Sequence, residues 1–375
     1  MGHANTLAPL SAWFRLLWEN GGASPAYWGR LGRILAATTL ASPLRLLERL
    51  RFGRAVNRTR IDKAPVFVLG VARSGTTHLH NLISRDPQFG VVSTFQAIVP
   101  TFCLTGGSRL KGVMARLAPA RRPMDRMRMS MDLPQEEEVA ISNLCELSAV
   151  YALSFPRRAR EIYEKYSFMR GLSEGEIRRW ERAYMHVARQ ATLLCEGRRL
   201  VLKSPVNTGR IPHLLRLFPD ARFVYVVRNP YVVHLSLVHL FRTVVPAHQL
   251  QFVADQALVD LAVSHQRDTI RQYLADRASI PKGRLVEMRF EDLEQDPEGA
   301  LGRTYGALDL PGWDAMRVVL VEYLRSISGY RKNRYEIDPD TVDLVERECG
   351  FVLDSWAYDV PEAGSPSAAD SPGET

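Results

Sequence analysis

The sequence has little that would tie a fold together covalently or through metal. Its 375 residues hold four cysteines, Cys103, Cys145, Cys195 and Cys349, set far apart. No CxxC pair and no His/Cys cluster of metal-ligand spacing occurs, so no metal is expected, and free buried thiols in a reducing compartment are. No apolar run is long enough to span a bilayer. Gly2-His3-Ala4-Asn5 leads into no basic region with a long apolar core. A secretory signal is therefore not expected, and the expected location is cytoplasmic, at the inner face of the membrane. Acid is in short supply, with 41 Asp and Glu against 49 Lys and Arg, a net charge of +8 and a pI of about 9.4. That balance suits acidic partners such as nucleotide phosphates or anionic lipid. No basic patch with interleaved aromatics stands out, so nucleic acid is not an expected partner. There is no internal repeat, and a 46% hydrophobic, 24% charged composition is that of an ordinary globular chain.

What is present is concentrated in residues 65–89, PVFVLGVARSGTTHLHNLISRDPQF. Val66-Phe67-Val68-Leu69 is a short apolar run ended by Gly70, the pattern of a buried strand in a parallel sheet. Leu79, Leu82 and Ile83 then recur at helical spacing until Asp86-Pro87 stops the helix. Strand, glycine-bounded turn and helix form an anion site. The first N–H groups of the helix point at one spot, and the helix dipole favours negative charge there. The spacing is that of a nucleotide phosphate loop, G-x-x-x-x-G-K-[ST], with Thr76 where the lysine belongs. Without that lysine, and with no evident Mg²⁺-binding carboxylate after a later strand, γ-phosphate transfer lacks two of its usual parts. Arg73 and the hydroxyls of Ser74, Thr76 and Thr77 remain to hold an anion that needs no metal. A Mg-dependent nucleotide kinase or NTPase stays open as an alternative.

Two further runs repeat the strand pattern. Arg199–Leu202 ends in Lys203-Ser204-Pro205-Val206-Asn207-Thr208, followed by a helix over 211–218, and Arg222–Val227 ends in Arg228-Asn229-Pro230. Polar and basic residues at the carboxyl ends of parallel strands are where α/β sheets bind ligands. The helix after Pro230 carries Val233, Leu237, Leu240 and Phe241 on one face, with Ser236 eight residues after Arg228. Residues 157–198 and 250–277 read as helical, and 284–290 as another strand.

Asp132-Leu133-Pro134-Gln135-Glu136-Glu137-Glu138 leads into a helix expected to run to about Tyr151, with proline and acids suiting its start. On a helical wheel Glu136 lines up with Ala140, Asn143 and Leu147 on the apolar face. Glu137 falls at the edge and Glu138 nearly opposite. A carboxylate facing inward at a helix start is a candidate general base, which makes Glu136 the first choice and Glu137 the reserve. His78 and His80, on the helix after the phosphate loop, are rivals. Lys203 is the candidate cation beside a transferring group.

Arg73-Ser74-Gly75-Thr76-Thr77, placed between strand and helix, resembles the 5′-phosphosulfate loop of sulfotransferases, which use 3′-phosphoadenosine 5′-phosphosulfate (PAPS). Arg228 with Ser236 is similar to that family's 3′-phosphate motif, and Phe290-Glu291-Asp292-Leu293 to its recurring YEDL. The resemblance covers roughly residues 60–335 and is to the bacterial-type branch. It implies an α/β fold in which a parallel central sheet is flanked by helices, with the phosphate-binding loop after the first strand. It also implies PAPS as sulfate donor, a nucleotide co-substrate that needs no metal, and a hydroxyl-bearing acceptor. By the same resemblance Arg73, Ser74, Gly75, Thr76, Thr77, Arg228 and Ser236 bind the nucleotide. His78 stands where cytosolic members often carry Trp, and the late basic loop with Arg331 and Lys332 comes over the phosphates. Cytosolic members use a histidine base, and tyrosylprotein enzymes a glutamate soon after the loop. At the latter place this chain has Thr94-Phe95-Gln96, so Glu136 is a candidate from helix geometry alone.

The remaining segments bear on the acceptor. Residues 1–60 read as helices, with Leu10, Trp13, Phe14, Leu17 and Trp18 on one apolar face. Tyr27 to Val56 mixes Leu31, Ile34 and Leu35 with Arg30, Arg33, Arg45, Arg49, Arg51 and Arg54. Such helices suit either the cap of an α/β core or the surface of an anionic membrane. Residues 106–130 are basic and Met-rich, a candidate lid over an acceptor pocket. These features favour a lipid, glycolipid or sterol hydroxyl over a free sugar. A non-catalytic membrane-peripheral nucleotide-binding protein is the other alternative. The expected organisation is an amphipathic helical segment 1–60, an α/β domain 61–360, and a tail 361–375 too poor in apolar residues to fold.

Overall fold

The computed structural model describes residues 7–118, 130–326 and 336–361. Among the described residues there are five strands: β1 (Val66–Leu69), β2 (Phe89–Gly90), β3 (Arg199–Lys203), β4 (Arg222–Val227) and β5 (Leu285–Arg289). They form one sheet in the order β2-β3-β1-β4-β5, parallel throughout. β1, β3 and β4 are carried by continuous apolar runs because helices cover both faces. Phe67, Leu69, Leu202, Phe223 and Tyr225 enter one buried cluster, and Val66, Val68, Val201, Val224 and Val226 enter the other. Successive side chains point to opposite faces, so a strand buried on both sides has no polar alternation.

β1 is central. The chain leaves it towards β2 and β3, then crosses to β4 and β5 on the other side. The carboxyl ends of β1, β3 and β4 therefore meet where the strand order reverses, the place where open α/β sheets bind ligands. Register puts Val68 beside Lys203 and Leu69 beside Tyr225, so the residues that follow these strands converge.

The N-terminal region holds the helices Leu10–Glu19, Trp28–Leu40 and Ser42–Arg58, the last two dividing the single stretch read from the sequence over 27–56. The buried face of the first differs from expectation. Ala12, Trp13 and Leu16 are buried, while Phe14 and Trp18 are 62% and 89% exposed. Trp13 meets Tyr151 edge-on, with ring centroids 5.8 Å apart. Centring the buried stripe on Trp13 turns Phe14, about 100° further round, to solvent. In the Met-rich region a helix runs from Cys103 to Leu117, broken at Gly107. The Glu48 carboxylate, from Ser42–Arg58, accepts its Leu104 and Thr105 N–H groups at 3.1 and 2.6 Å. The lid expectation for 119–129 lies outside the described residues, as does the tail from 362.

The helix expected to reach Tyr151 is only Glu137–Ser142, followed by a turn and a 3-10 helix, Ala149–Leu153. Two side chains account for the early stop. Asn143 Nδ2 donates to Ala97 O at 3.2 Å and to Val139 O at 3.1 Å. Glu138 accepts from Ser148 Oγ at 2.8 Å and Ala149 N at 2.9 Å, which folds the chain back on itself.

Two helices behind the sheet carry a pH liability. His234, on Pro230–His248, and His265, on Asp255–Asp276, are buried, and burial pushes both down to about 4. They stay neutral in the folded chain but bind protons below about 6.5 once unfolded. Stability is therefore full above that value and is lost as pH falls towards 4, by up to roughly 3 kcal/mol per ring. Thermal melts between pH 7 and pH 4 are expected to show a steep fall of Tm in that window. A flat profile would contradict the burial of these rings.

Candidate active site

The loop after β1 is shaped by two glycines. Gly70 and Gly75 have φ of 145° and 97°. A β-carbon on Gly70 would meet Val226 O at 2.6 Å, and one on Gly75 would meet the Phe290 ring at 2.0 Å. Neither close approach leaves room for a side chain. Arg73 also holds a positive φ, 75°, a strain of about 1–3 kcal/mol for a residue with a side chain. Its conformation has a visible use. Arg73 Nε donates to Ser236 Oγ at 2.9 Å, and its carbonyl accepts from Arg228 Nη1 at 3.3 Å. The β1 loop and the β4 turn are thereby joined. Arg228 lies over the Phe290 ring, 4.5 Å from its centroid, and the Asn229 N–H after it donates to Glu291 Oε1 at 3.0 Å.

The loop fits an anionic ligand. Gly75 gives the helix Thr76–Ile83 no capping side chain, so its opening N–H groups have no acceptor in a preceding turn. Beside them Ser74 Oγ is buried with no hydrogen-bond partner among the described residues. A phosphate or sulfonate oxygen placed there satisfies both. No group of three or more His, Cys, Asp or Glu among the described residues is placed to hold a metal ion.

At the end of β3, Lys203 Nζ donates to Thr77 Oγ1 at 3.1 Å and to Glu136 Oε1 at 2.6 Å. Lys203 is buried, while the Glu136 side chain keeps 29% of its surface exposed. Glu136 arrives by a different route from the helical wheel. It is the N-cap of Glu137–Ser142, with φ −70° and ψ 128°, so the wheel does not apply to it. The extended segment before it is fixed by Gln135 N donating to Val92 O at 2.8 Å and by a bridge between Ser93 and Pro134.

The next two glutamates are placed differently from each other and from Glu136. Glu137 turns into the core, where Tyr184 Oη donates to its Oε1 at 2.8 Å and Asn207 Nδ2 donates to the same oxygen. Its Oε2 is buried without a partner among the described residues, and burial pushes its carboxyl above the ordinary range. A proton on Oε2 fits two donors on Oε1. Glu138, expected to face away from the core, is instead fully buried against Arg210, with contacts of 2.5 and 3.0 Å. The wheel misplaced it because the helix is too short to set its surroundings. The Arg210 guanidinium also donates from Nε to Tyr166 O at 2.7 Å and stacks on Trp180 at 5.0 Å.

His78 is half-buried and edge-on to Phe290, with ring centroids 6.2 Å apart. His80 is buried, with Nε2 3.3 Å from Val201 O. Arg331 and Lys332 lie outside the described residues. Sequence reasoning named Thr208 and Phe290 only within longer runs and gave neither a place at the site. Thr208 Oγ1 accepts from Gly70 N at 2.9 Å and donates to Gly70 O at 3.1 Å, bracing the loop from β3. The signal for it was the polar run Lys203–Thr208 at a strand's carboxyl end. Phe290, which closes on Gly75, follows β5 at the same edge of the sheet.

Known proteins with similar sequence or structure agree on one chemistry. Residues 65–315 match the family model described as "Sulfotransferase family". The omega-hydroxy-beta-dihydromenaquinone-9 sulfotransferases of Mycobacterium bovis and Mycobacterium tuberculosis are 31% identical to this chain over 351 residues, covering 93% of it and 89% of each relative. Among solved structures, sulfotransferase STF9 from Mycobacterium avium superposes with a TM-score of 0.67 at 20% identity, over 92% of this chain and 88% of that one. Sulfotransferase STF1 from Mycobacterium tuberculosis gives 0.64 at 18% identity, over 89% of both chains. At these identities the two structures establish the fold.

Proposed function

This chain belongs to the sulfotransferase family, and from that premise we propose that it moves a sulfuryl group from PAPS to the hydroxyl of a lipid. The observation that carries the reading is the meeting of Lys203, Thr77 and Glu136 at the carboxyl end of β3, beside the anion loop. With family membership established, the kinase and NTPase alternative is dropped.

The donor supplies the sulfuryl group, and its phosphate leaves with the electron pair of the broken S–O bond. The protein's own residues do the rest. The N–H groups that open Thr76–Ile83, with Ser74, Thr76, Thr77 and Arg73, hold the 5′ end of the nucleotide. Arg228 and Ser236 hold the 3′-phosphate and set its orientation, so that binding is converted into alignment. Glu136 takes the acceptor's hydroxyl proton as the new O–S bond forms. A proton arriving on Glu136 weakens its hold on Lys203, which is then free to stabilise charge on the departing phosphate. Glu137, turned into the core, holds Asn207 and Tyr184 and thereby the turn after β3. His78 and Phe290 form one wall of the nucleotide pocket.

The acceptor reading draws on the relatives' menaquinone-type substrate and on the apolar N-terminal helices. A lipid acceptor places the enzyme at a membrane, on the cytoplasmic side. The helices before residue 60 form one unit of the chain and residues 61–360 the catalytic domain. No described helix is long and apolar enough to cross a membrane.

Calorimetric titration with 3′-phosphoadenosine 5′-phosphate, without magnesium, tests the donor assignment. Selective binding over ADP and ATP is expected. Arg228→Ala is expected to weaken it by about tenfold to a hundredfold, the loss of a charge-assisted contact of about 1.5–3 kcal/mol. Binding of ATP alone, and only with magnesium, would overturn the assignment.

A further inference from the structure

The outer face of Ser42–Arg58 is divided in two. Towards its start Leu44, Leu46, Leu47 and Leu50 are exposed, Leu50 at 73%, and Leu40 precedes them at the end of Trp28–Leu40. Towards its end the outward residues are Arg51, Arg54 and Arg58. The buried side of the same helix is occupied by Glu48 and Val56, so the leucines are surplus to the core. Beside it packs Cys103–Leu117, which exposes Leu117 at 81% and Val113 one turn earlier.

Apart from one buried acid, the charge carried by these helices is of one sign, and the one neighbouring acid that meets them, Asp132, is paired with Lys111. Residues 28–60 contain eight arginines and a single acid, Glu48. That acid is buried and spent on the backbone of Cys103–Leu117. Residues 103–117 contain no acid at all. Exposed leucines ringed by unopposed arginines fit a surface that is apolar beneath and anionic on top. A second copy of this chain would bring arginine against arginine, and that repulsion argues against a dimer face.

We propose that Ser42–Arg58 and Cys103–Leu117 together form the surface by which this protein lies on an anionic lipid bilayer, leucines inserted and arginines on the headgroups. The purpose assigned to this contact rests on the lipid-acceptor reading above; the contact itself does not. The patch is also connected to the site. Ala41, Phe95, Phe102 and Met131 form one buried cluster beneath the two helices, and Met131 opens the segment that delivers Glu136. A docked surface thus braces the extended segment that carries the proposed base.

Flotation of the full chain with vesicles tests the proposal, without nucleotide, comparing neutral phosphatidylcholine with phosphatidylcholine containing phosphatidylglycerol. Binding to the anionic vesicles alone is expected, weakening as salt rises. Leu46→Glu with Leu50→Glu should lower the bound fraction at least tenfold while leaving the melting curve and 3′-phosphoadenosine 5′-phosphate binding unchanged. Arg51→Ser with Arg54→Ser should lower it severalfold and reduce its salt dependence. A protein that stays unbound with both vesicles, or binds both equally, overturns the proposal. So does a leucine variant whose only change is loss of self-association in sedimentation. Nucleotide affinity measured on the same samples keeps the two readings apart. Vesicle binding without nucleotide binding sinks the donor assignment only, and the converse sinks the surface only.

Discussion

Glu136→Gln is expected to lower kcat by about 10²- to 10⁴-fold, the usual range for loss of a positioned general base. Affinity for 3′-phosphoadenosine 5′-phosphate should stay near that of the unaltered protein. The substitution keeps the shape of the side chain and an oxygen for Lys203 Nζ, now 2.6 Å away, but removes the ability to accept a proton. Turnover close to that of the parent enzyme would remove Glu136 from the role and return His78 to candidacy. Glu137 is a poorer substitute, because its carboxyl is enclosed by Tyr184 and Asn207 and held above the ordinary range by burial. Glu137→Gln should therefore act mainly on stability.

The second large effect concerns folding. Arg210→Met strands the Glu138 carboxylate in a fully buried place, and breaking a buried pair on one side costs about 3–5 kcal/mol. The loss should be partly recovered by adding Glu138→Gln, which removes the charge but keeps an acceptor for Ser148 Oγ and Ala149 N. Urea unfolding of the single and double variants reads this directly. A single variant as stable as the parent would mean that the pair is not buried as described. Nucleotide binding measured at low temperature separates this structural role from catalysis, since neither residue touches the phosphate loop.

The sheet was readable because β1, β3 and β4 are covered on both faces, and a doubly buried strand announces itself as an uninterrupted apolar run. The anion loop was readable because a strand ends at Gly70 and a helix starts directly after Gly75, five residues on. What was not readable depended on chain reversal. Glu138 and Arg210 are 72 residues apart, and nothing local to either says that they meet. The wheel assumed a helix to Tyr151, whereas Asn143 and Glu138 end it at Ser142. It named Glu136 for a reason the structure does not support and placed Glu138 on the wrong side. The N-terminal stripe failed in a milder way. Five apolar residues span more of the helix than one core contact can cover, and Trp13, pinned on Tyr151, decided which of them stay outside.

The strand order also has a consequence for biosynthesis. β1 is built first but hydrogen-bonds only to β3 and β4, and Val66 finds its partners in Val201 and Arg222. At roughly 5–20 residues per second, a delay of some 135 residues leaves the most apolar strand of the sheet without a neighbour for roughly 7–27 seconds. No hairpin can shelter it meanwhile, because the sheet has no antiparallel pair. The nascent chain is thus at its most aggregation-prone before β3 emerges. Slowed translation between β1 and β3 should lengthen that exposure, and slowed translation after β4 should not.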